Sequence, residues 1–163
     1  NVYKLVEIDG EAVLKRSEDK IKLINPGSQI TYRIMINDPS KGEIFKVDVT
    51  CLRGDSLSKQ IEAGETFTVC DEYDRYKNKT FEAGDYVALP MQHKVMENGK
   101  RCVPYHTLAE KKAYYDNTLK HFSPSERRLI NPHYYKVDIS DDLYNLKMSI
   151  INKIVKDIES FTL

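Results

Sequence analysis

Residues 29–52 read QITYRIMINDPSKGEIFKVDVTCL, and the fold class turns on this stretch. QITYRIMI (29–36) alternates in side-chain character and is rich in β-branched residues and Tyr. A period of two is the strand period, because successive side chains point to opposite faces. Asn37–Gly42 carries Asp, Pro, Ser and Gly and reads as a turn. EIFKVDVTCL (43–52) then resumes the alternation, with Ile44, Lys46 and Asp48 against Phe45, Val47, Val49 and Cys51. Two strands joined by a turn are predicted.

Outward from this pair, the same signals recur. VYKLVEI, Asp9-Gly10 and AVLKR form a hairpin pattern, two apolar runs around an Asp-Gly turn. Val2, Tyr3, Leu5, Val6 and Ile8 make that first strand dense in apolar residues, so it needs a cover. Asn25-Pro26-Gly27-Ser28 is a loop. Further strands are expected at ETFTVCDEY (65–73), DYVALPMQHKV (85–95) and KRCVPYH (100–106), separated by turns at Ala63-Gly64, Ala83-Gly84 and Asn98-Gly99. The last third is helical. Thr107 and Glu110 form a capping box for a helix to about Phe122. Ser123-Pro124-Ser125-Glu126 repeats the signal for a short helix that Asn131-Pro132 must stop. Ser140 caps a final helix whose first turn holds Asp141 and Asp142, with Leu143, Leu146, Ile150, Ile154 and Ile158 as its apolar stripe. Strands first and helices afterwards is an α+β pattern: a mostly antiparallel, β-rich first two thirds followed by two or three C-terminal helices.

The bulk numbers exclude several classes. Lys+Arg and Asp+Glu are equal at 25 each in 163 residues, and no basic run exceeds two residues. Such a chain has no electrostatic reason to collect on nucleic acid or an anionic membrane. No apolar run approaches the ~20 residues of a membrane span. Cys51, Cys70 and Cys102 are odd in number and widely spaced, which argues against a disulfide framework and fits a reducing cytosol.

The search for chemistry is mostly negative. His93, His106, His121 and His133 are scattered, and no CxxC or HxxxH spacing supports zinc. Cys102 and His106 read as a buried cysteine and a surface histidine. Asp71, Glu72 and Asp74, with Tyr73 and Tyr76 between them, read as a solvated loop. Tyr114-Tyr115 and Tyr134-Tyr135 read as packing residues with a wet hydroxyl. Pro26-Gly27-Ser28 is too short for a phosphate cradle and reads as a turn. Lys15 and Arg33 flank it and are the candidate anion-edge residues; the plainer reading makes them surface cations on hairpin strands.

The ordered motifs resemble a known family. VYKLVEIDGEAVLKRSEDK (2–20) followed by INPGSQITYR (24–33) resembles the segment that closes the barrel domain of nicotinate phosphoribosyltransferases. RRLINPHYYKVDISDDLYNLK (127–147) resembles that family's C-terminal signature, and GEIFKVDVTCL (42–52) and YVALPMQHKVMENGK (86–100) fall where it has strands. Lys15, Ser17, Pro26, Gly27 and Arg33 match the first motif; Asn131, Pro132, His133, Ser140 and Leu143 match the second. Gln29 departs from it, standing where the family commonly has Lys.

The resemblance implies a fragment of a type II phosphoribosyltransferase, an irregular α/β barrel with added N- and C-terminal parts. Residues 1–36 would end the barrel domain, 37–106 would form a β-rich C-terminal region and 107–163 a C-terminal helical region. The implied reaction joins nicotinate to phosphoribosyl pyrophosphate, giving nicotinate mononucleotide and pyrophosphate in NAD salvage. ATP hydrolysis is coupled through a phosphorylated histidine, so the parent is at once a transferase and a ligase. In the family that histidine, the substrate-holding arginine and the Gly-rich loop lie upstream of the matched segment. No catalytic residue, metal ligand or cofactor site is therefore expected here; ATP and Mg would be used by the parent. The expected partners are the missing N-terminal barrel, the parent's small-molecule substrates and a second copy in a homo-oligomer. A cytoplasmic location is implied. The fragment would be inactive alone and would expose Tyr3, Leu5, Val13 and Leu14. The alternatives are a free-standing β-rich protein- or ligand-binding module and, more remotely, a metal-dependent enzyme.

Overall fold

The computed structural model describes residues 4–15 and 23–161. Ser17 and Tyr3 lie outside the described residues, as does the Ile158 side chain. Among the described residues the architecture is α+β: one six-stranded, mostly antiparallel sheet, two small hairpins and three helices.

The hairpins follow their turn residues. β1 (Glu7–Ile8) pairs with β2 (Glu11–Ala12), and Asp9 and Gly10 take φ of 51° and 83°, the left-handed pair that a two-residue hairpin requires. The stretch read first becomes β3 (Gln29–Asp38) and β4 (Gly42–Leu52), antiparallel throughout. A shift between Ile34 and Met35 makes Lys46 the extra residue of a bulge on β4. A domain division after residue 36 would fall inside β3.

Three strands complete the first side of the sheet: β5 (Phe67–Asp71), β6 (Asn78–Phe81) and β7 (Tyr86–Pro90). The β8 (Met96–Glu97) and β9 (Lys100–Arg101) hairpin stands apart, turning at Asn98-Gly99. A last short strand, β10 (Val137–Ile139), slots between β5 and β4, giving the order β6-β5-β10-β4-β3-β7. β10 runs parallel to β4, the single parallel pairing in this sheet.

The inner face is lined by Ile30, Tyr32 and Ile34 from β3 and by Val47, Val49 and Cys51 from β4, all buried. Phe67, Val69 and Phe81 join them from β5 and β6. The sheet curls so far that Tyr86 of edge strand β7 meets the opposite edge. Its ring stands edge-on to Phe67 at 4.9 Å, and its hydroxyl donates to the Glu65 carbonyl at 2.8 Å.

A helix within the first two thirds corrects the all-strand reading of that region. α1 (Ser56–Ala63) presses Leu57 and Ile61 onto the core. Its signals are local: Asp55 accepts from the Ser58 N–H as N-cap, and Gly64 ends the helix at φ 70°. β6 also goes unread in the sequence, and β7 is shorter than expected. It stops at Pro90, which has no N–H; beyond it the Gln92 side chain accepts the Thr31 N–H at 2.8 Å. The strand expected at 100–106 shrinks to two residues.

α2 (Leu108–Lys120) begins on the complete Thr107/Glu110 capping box. None of its residues is buried. The short helix expected after Ser123 does not form. Ser123 accepts from Glu126 and Arg127 through its carbonyl, making one turn, while its hydroxyl bonds Ser125. Nucleating a helix fixes several residues for one hydrogen bond, and Asn131-Pro132 leaves no room to recover that cost. α3 (Asp141–Phe161) starts where expected: the Ser140 hydroxyl accepts the Leu143 N–H at 3.2 Å, and Leu143 is fully buried. Its stripe is only half-covered from Leu146 through Ile154.

Candidate functional site

The outer face of the sheet carries a polar assembly centred on Arg33. Register places Arg33 opposite Asp48, and the guanidinium grips that carboxylate twice, Nε to Oδ1 at 2.8 Å and Nη2 to Oδ2 at 2.7 Å. Such a fork is a charge-assisted, geometrically fixed pair. The Tyr135 hydroxyl donates to the same Asp48 Oδ1 at 2.9 Å. Phe45, Phe122 and Tyr135 surround the guanidinium, their ring centroids 5.0, 5.4 and 5.8 Å from its carbon. Arg33 and Asp48 are only 17% and 13% exposed, so the pair works in reduced dielectric. Its bond to Asp48 raises the Arg33 pKa. Burial first, then the Asp48 charge, pushes the Tyr135 phenol far up, so it stays a donor.

A cleft of about 490 Å³ opens beside this cage. It is lined by Arg33, Phe45, Leu89, His93, Tyr114 and His121, among others. His121 is held as well as placed. Its Nδ1 lies 3.1 Å from the Glu43 carbonyl, its ring 5.1 Å from Phe45, and its own carbonyl accepts the Phe45 N–H. The cleft is thus an aromatic recess with its one strong cation already matched to a carboxylate. It suits packing of a planar or aromatic side chain better than capture of a free anion.

The two sequence-chosen residues are not brought together. Lys15 is exposed beyond the N-terminal hairpin, whereas Arg33 is enclosed by Asp48 and three rings. The loop between them is a structural junction. Gly27 sits at φ 80°, and a Cβ there would meet Leu52 Cδ2 at 3.0 Å and Leu146 Cδ2 at 3.5 Å. The Gly27 N–H donates to the Val6 carbonyl, and the Ser28 N–H to Glu7, tying the hairpin to the sheet. Gln29, the departure from the family pattern, has a local task. Its amide donates to the carbonyls of Asn25, Pro26 and Gly27, at 2.6, 3.3 and 3.3 Å.

Other readings need correction. Cys102 is exposed, not buried; Cys51 is the buried thiol, its pKa pushed far up by desolvation. Tyr114, Tyr115 and Tyr134 project at 73%, 61% and 97% exposure, so among the four paired tyrosines only Tyr135 packs. Glu72 is no solvated loop residue: it pairs with the buried Lys147 at 2.5 Å, and Lys147 also donates to Asn25. No group of three or more His, Cys, Asp or Glu converges to hold a metal among the described residues. None of their helices is long and apolar enough to cross a membrane.

The sequence alone does not pair Asp48 and Tyr135 with Arg33. Alternation put Asp48 on a face, but the register that pairs it with Arg33 depends on the turn, and Tyr135 arrives from 87 residues away.

Comparison with known proteins gives one consistent result. The family described as nicotinate phosphoribosyltransferase C-terminal domain matches residues 28–147. The nicotinate phosphoribosyltransferase of Bos taurus is 30% identical over 145 residues, covering 89% of this chain and 25% of the relative. That of Homo sapiens is 28% identical over 149 residues, covering 91% and 26%. The crystal structure of human nicotinic acid phosphoribosyltransferase superposes with a TM-score of 0.69 at 24% identity, covering 92% of this chain and 26% of that one. That likeness shows the fold. The chain spans about a quarter of the length of the relatives it matches.

Proposed function

The chain belongs to the nicotinate phosphoribosyltransferase C-terminal domain family, and from that premise we propose that it serves a parent enzyme of that activity as a non-catalytic packing domain. The parent joins nicotinate to phosphoribosyl pyrophosphate, forming nicotinate mononucleotide and pyrophosphate, with ATP hydrolysis driving the exchange, in the cytoplasm and as a homo-oligomer. The observation that carries this reading is the unpartnered apolar surface along one part of the chain. Leu108, Tyr114, Leu129, Ile130 and Tyr134 are between 73% and 101% exposed. These exposed apolar side chains support a reading in which the rest of the parent covers them. Leu5 and Ile8 of the N-terminal hairpin add to it at 62% and 48%.

The site chemistry supports assigning catalysis to the rest of the parent. His93, His106 and His133 stand exposed, His93 and His133 at the rims of two clefts, and His121 is engaged with Phe45 and Glu43. In this reading ATP and Mg are used by the rest of the parent. Lys15 is the candidate for contact with an anion at the domain's edge, and Arg33 acts through the cage that fixes β3 to β4 and to Tyr135.

The test is direct. This chain, supplied with nicotinate, phosphoribosyl pyrophosphate, ATP and Mg, is expected to form no nicotinate mononucleotide. The parent enzyme is expected to lose turnover when Leu129 and Ile130 are both made Asp. Turnover by this chain alone, or an unaffected parent variant, would sink the proposal.

A further inference from the structure

A second cavity, of about 520 Å³, lies where β4, β6 and the 123–136 segment meet. Five lysines line it: Lys41, Lys46, Lys77, Lys79 and Lys136. Lys77 is matched by Asp74 at 3.0 Å. Lys46, Lys79 and Lys136 have no ion pair among the described residues. They line the same cavity instead, and Lys46 and Lys136 both act electrostatically on Lys79. Burial foremost, and then these neighbouring cations, lower the Lys79 pKa.

The carboxylates of the cavity answer this charge only in part, through the pull between Asp138 and Lys136. Glu126 accepts from the Ser123 N–H within its own turn. Asp138 is buried, and desolvation followed by the Asp71 charge raises its pKa, weakening it as a counter-ion. His133 and Tyr134 complete the titratable lining. Three cations converging in a chain of zero net formal charge, with 25 acidic residues available, are a costly local arrangement. Like charges held together are stabilised when a multiply charged anion joins them, because each charge-assisted hydrogen bond also relieves repulsion. The Ser123 and Ser125 hydroxyls, 2.8 Å apart, supply neutral donors in the same cavity.

We propose that this cavity binds a small phosphate-bearing anion, held by Lys46, Lys79 and Lys136 with the Ser123 and Ser125 hydroxyls beside them. The site shares the Phe45 wall with the Arg33 cage but takes its charge from other residues, and it does not depend on the activity proposed for the parent. Ile44, Phe45 and Tyr134 also line it, so the space admits an organic phosphate ester as well as the bare ion.

Calorimetric titration of this chain at neutral pH and low salt tests the site, with inorganic pyrophosphate, inorganic phosphate and phenyl phosphate as probes. One site per chain is expected for pyrophosphate. Lys79→Met and Lys46→Met should each weaken it about tenfold, a difference of about 1.4 kcal/mol. Lys59→Met, an exposed lysine on α1, should leave it unchanged. Tighter binding of phenyl phosphate than of inorganic phosphate would identify an ester as the natural occupant; the reverse would identify the bare ion. A second readout is independent of affinity. Without any anion, Lys79→Met should melt no lower than the parent chain, since it removes repulsion, and it should lose the stabilisation that pyrophosphate gives the parent chain. No pyrophosphate binding, or binding that Lys59→Met weakens as much as Lys79→Met, would overturn the proposal.

Discussion

Asp55 accepts the hydroxyl hydrogen of Ser140 at 2.7 Å, joining two helix N-caps that lie 85 residues apart. The same carboxylate accepts from the Ser58 N–H at 2.7 Å and the Leu52 N–H at 3.0 Å. One side chain therefore starts α1, closes the end of β4 and orients the residue that starts α3. Asp55→Ala should cost about 2–4 kcal/mol, the sum of a lost cap and of donors left unmatched. Ser140→Ala should cost about 1–2 kcal/mol. Urea unfolding of both singles and the double variant checks this, and the double should cost less than the sum because the two residues share a bond.

Gly27 and Gly84 make a matched comparison. Both have positive φ, 80° and 88°, but only Gly27 is crowded, by Leu52 and Leu146. Gly84→Ala should cost about 1 kcal/mol for the backbone conformation alone. Gly27→Ala should cost about 1–3 kcal/mol more, because the packed core must shift. Equal melting temperatures for the two variants would contradict the junction role of the Pro26-Gly27 loop.

Breaking the Lys147–Glu72 pair should be worse than removing it. Their side chains are 9% and 16% exposed, so either partner left alone is a poorly solvated charge. Lys147→Met or Glu72→Gln singly should destabilise by about 3 kcal/mol, and the double variant by much less. Chemical denaturation at low and high salt measures both, and the salt effect should be small for so enclosed a pair.

The pH dependence on the alkaline side follows from Tyr32 and Tyr135. Burial raises both phenols above their ordinary value of 10.0, helped by Glu62 and Asp48 respectively. The folded chain then holds protons that the unfolded chain releases. The stabilisation is fully present below pH 10 and is lost as pH rises above it. Unfolding free energy should therefore hold up to about pH 10 and fall steadily as pH rises beyond it, and Tyr135→Phe should flatten that fall while costing about 1–2 kcal/mol at pH 7 for the lost bond to Asp48.

Much of this fold follows from local chemistry. Alternation at 29–36 and 43–52 defines β3 and β4, Asp9-Gly10 and Asn98-Gly99 define hairpin turns, and Thr107, Glu110 and Ser140 define where α2 and α3 begin. Each of these signals acts within a few residues, so a linear reading captures it. α1 carried equally local signals in Asp55, Ser56 and Gly64, but it is short and interrupts a run of strands. The 123–130 segment carries a helix-start signal and stays a single turn, because no buried face exists there to sustain a helix.

What the sequence determined by itself is the set of strands and helices with strong periodicity or caps, together with the absence of any close-spaced metal or nucleophile motif. What the tertiary structure alone decided is which side chains meet. Arg33 finds Asp48 through register across a bulge and Tyr135 through a distant return of the chain. Lys46 of β4, Lys79 of β6 and Lys136 of the segment before β10 line one cavity, although nothing nearby in sequence links them. The physical reason is that periodicity fixes the face a side chain occupies, whereas sheet order, register and curl fix its neighbours, and these come from burying the whole core at once.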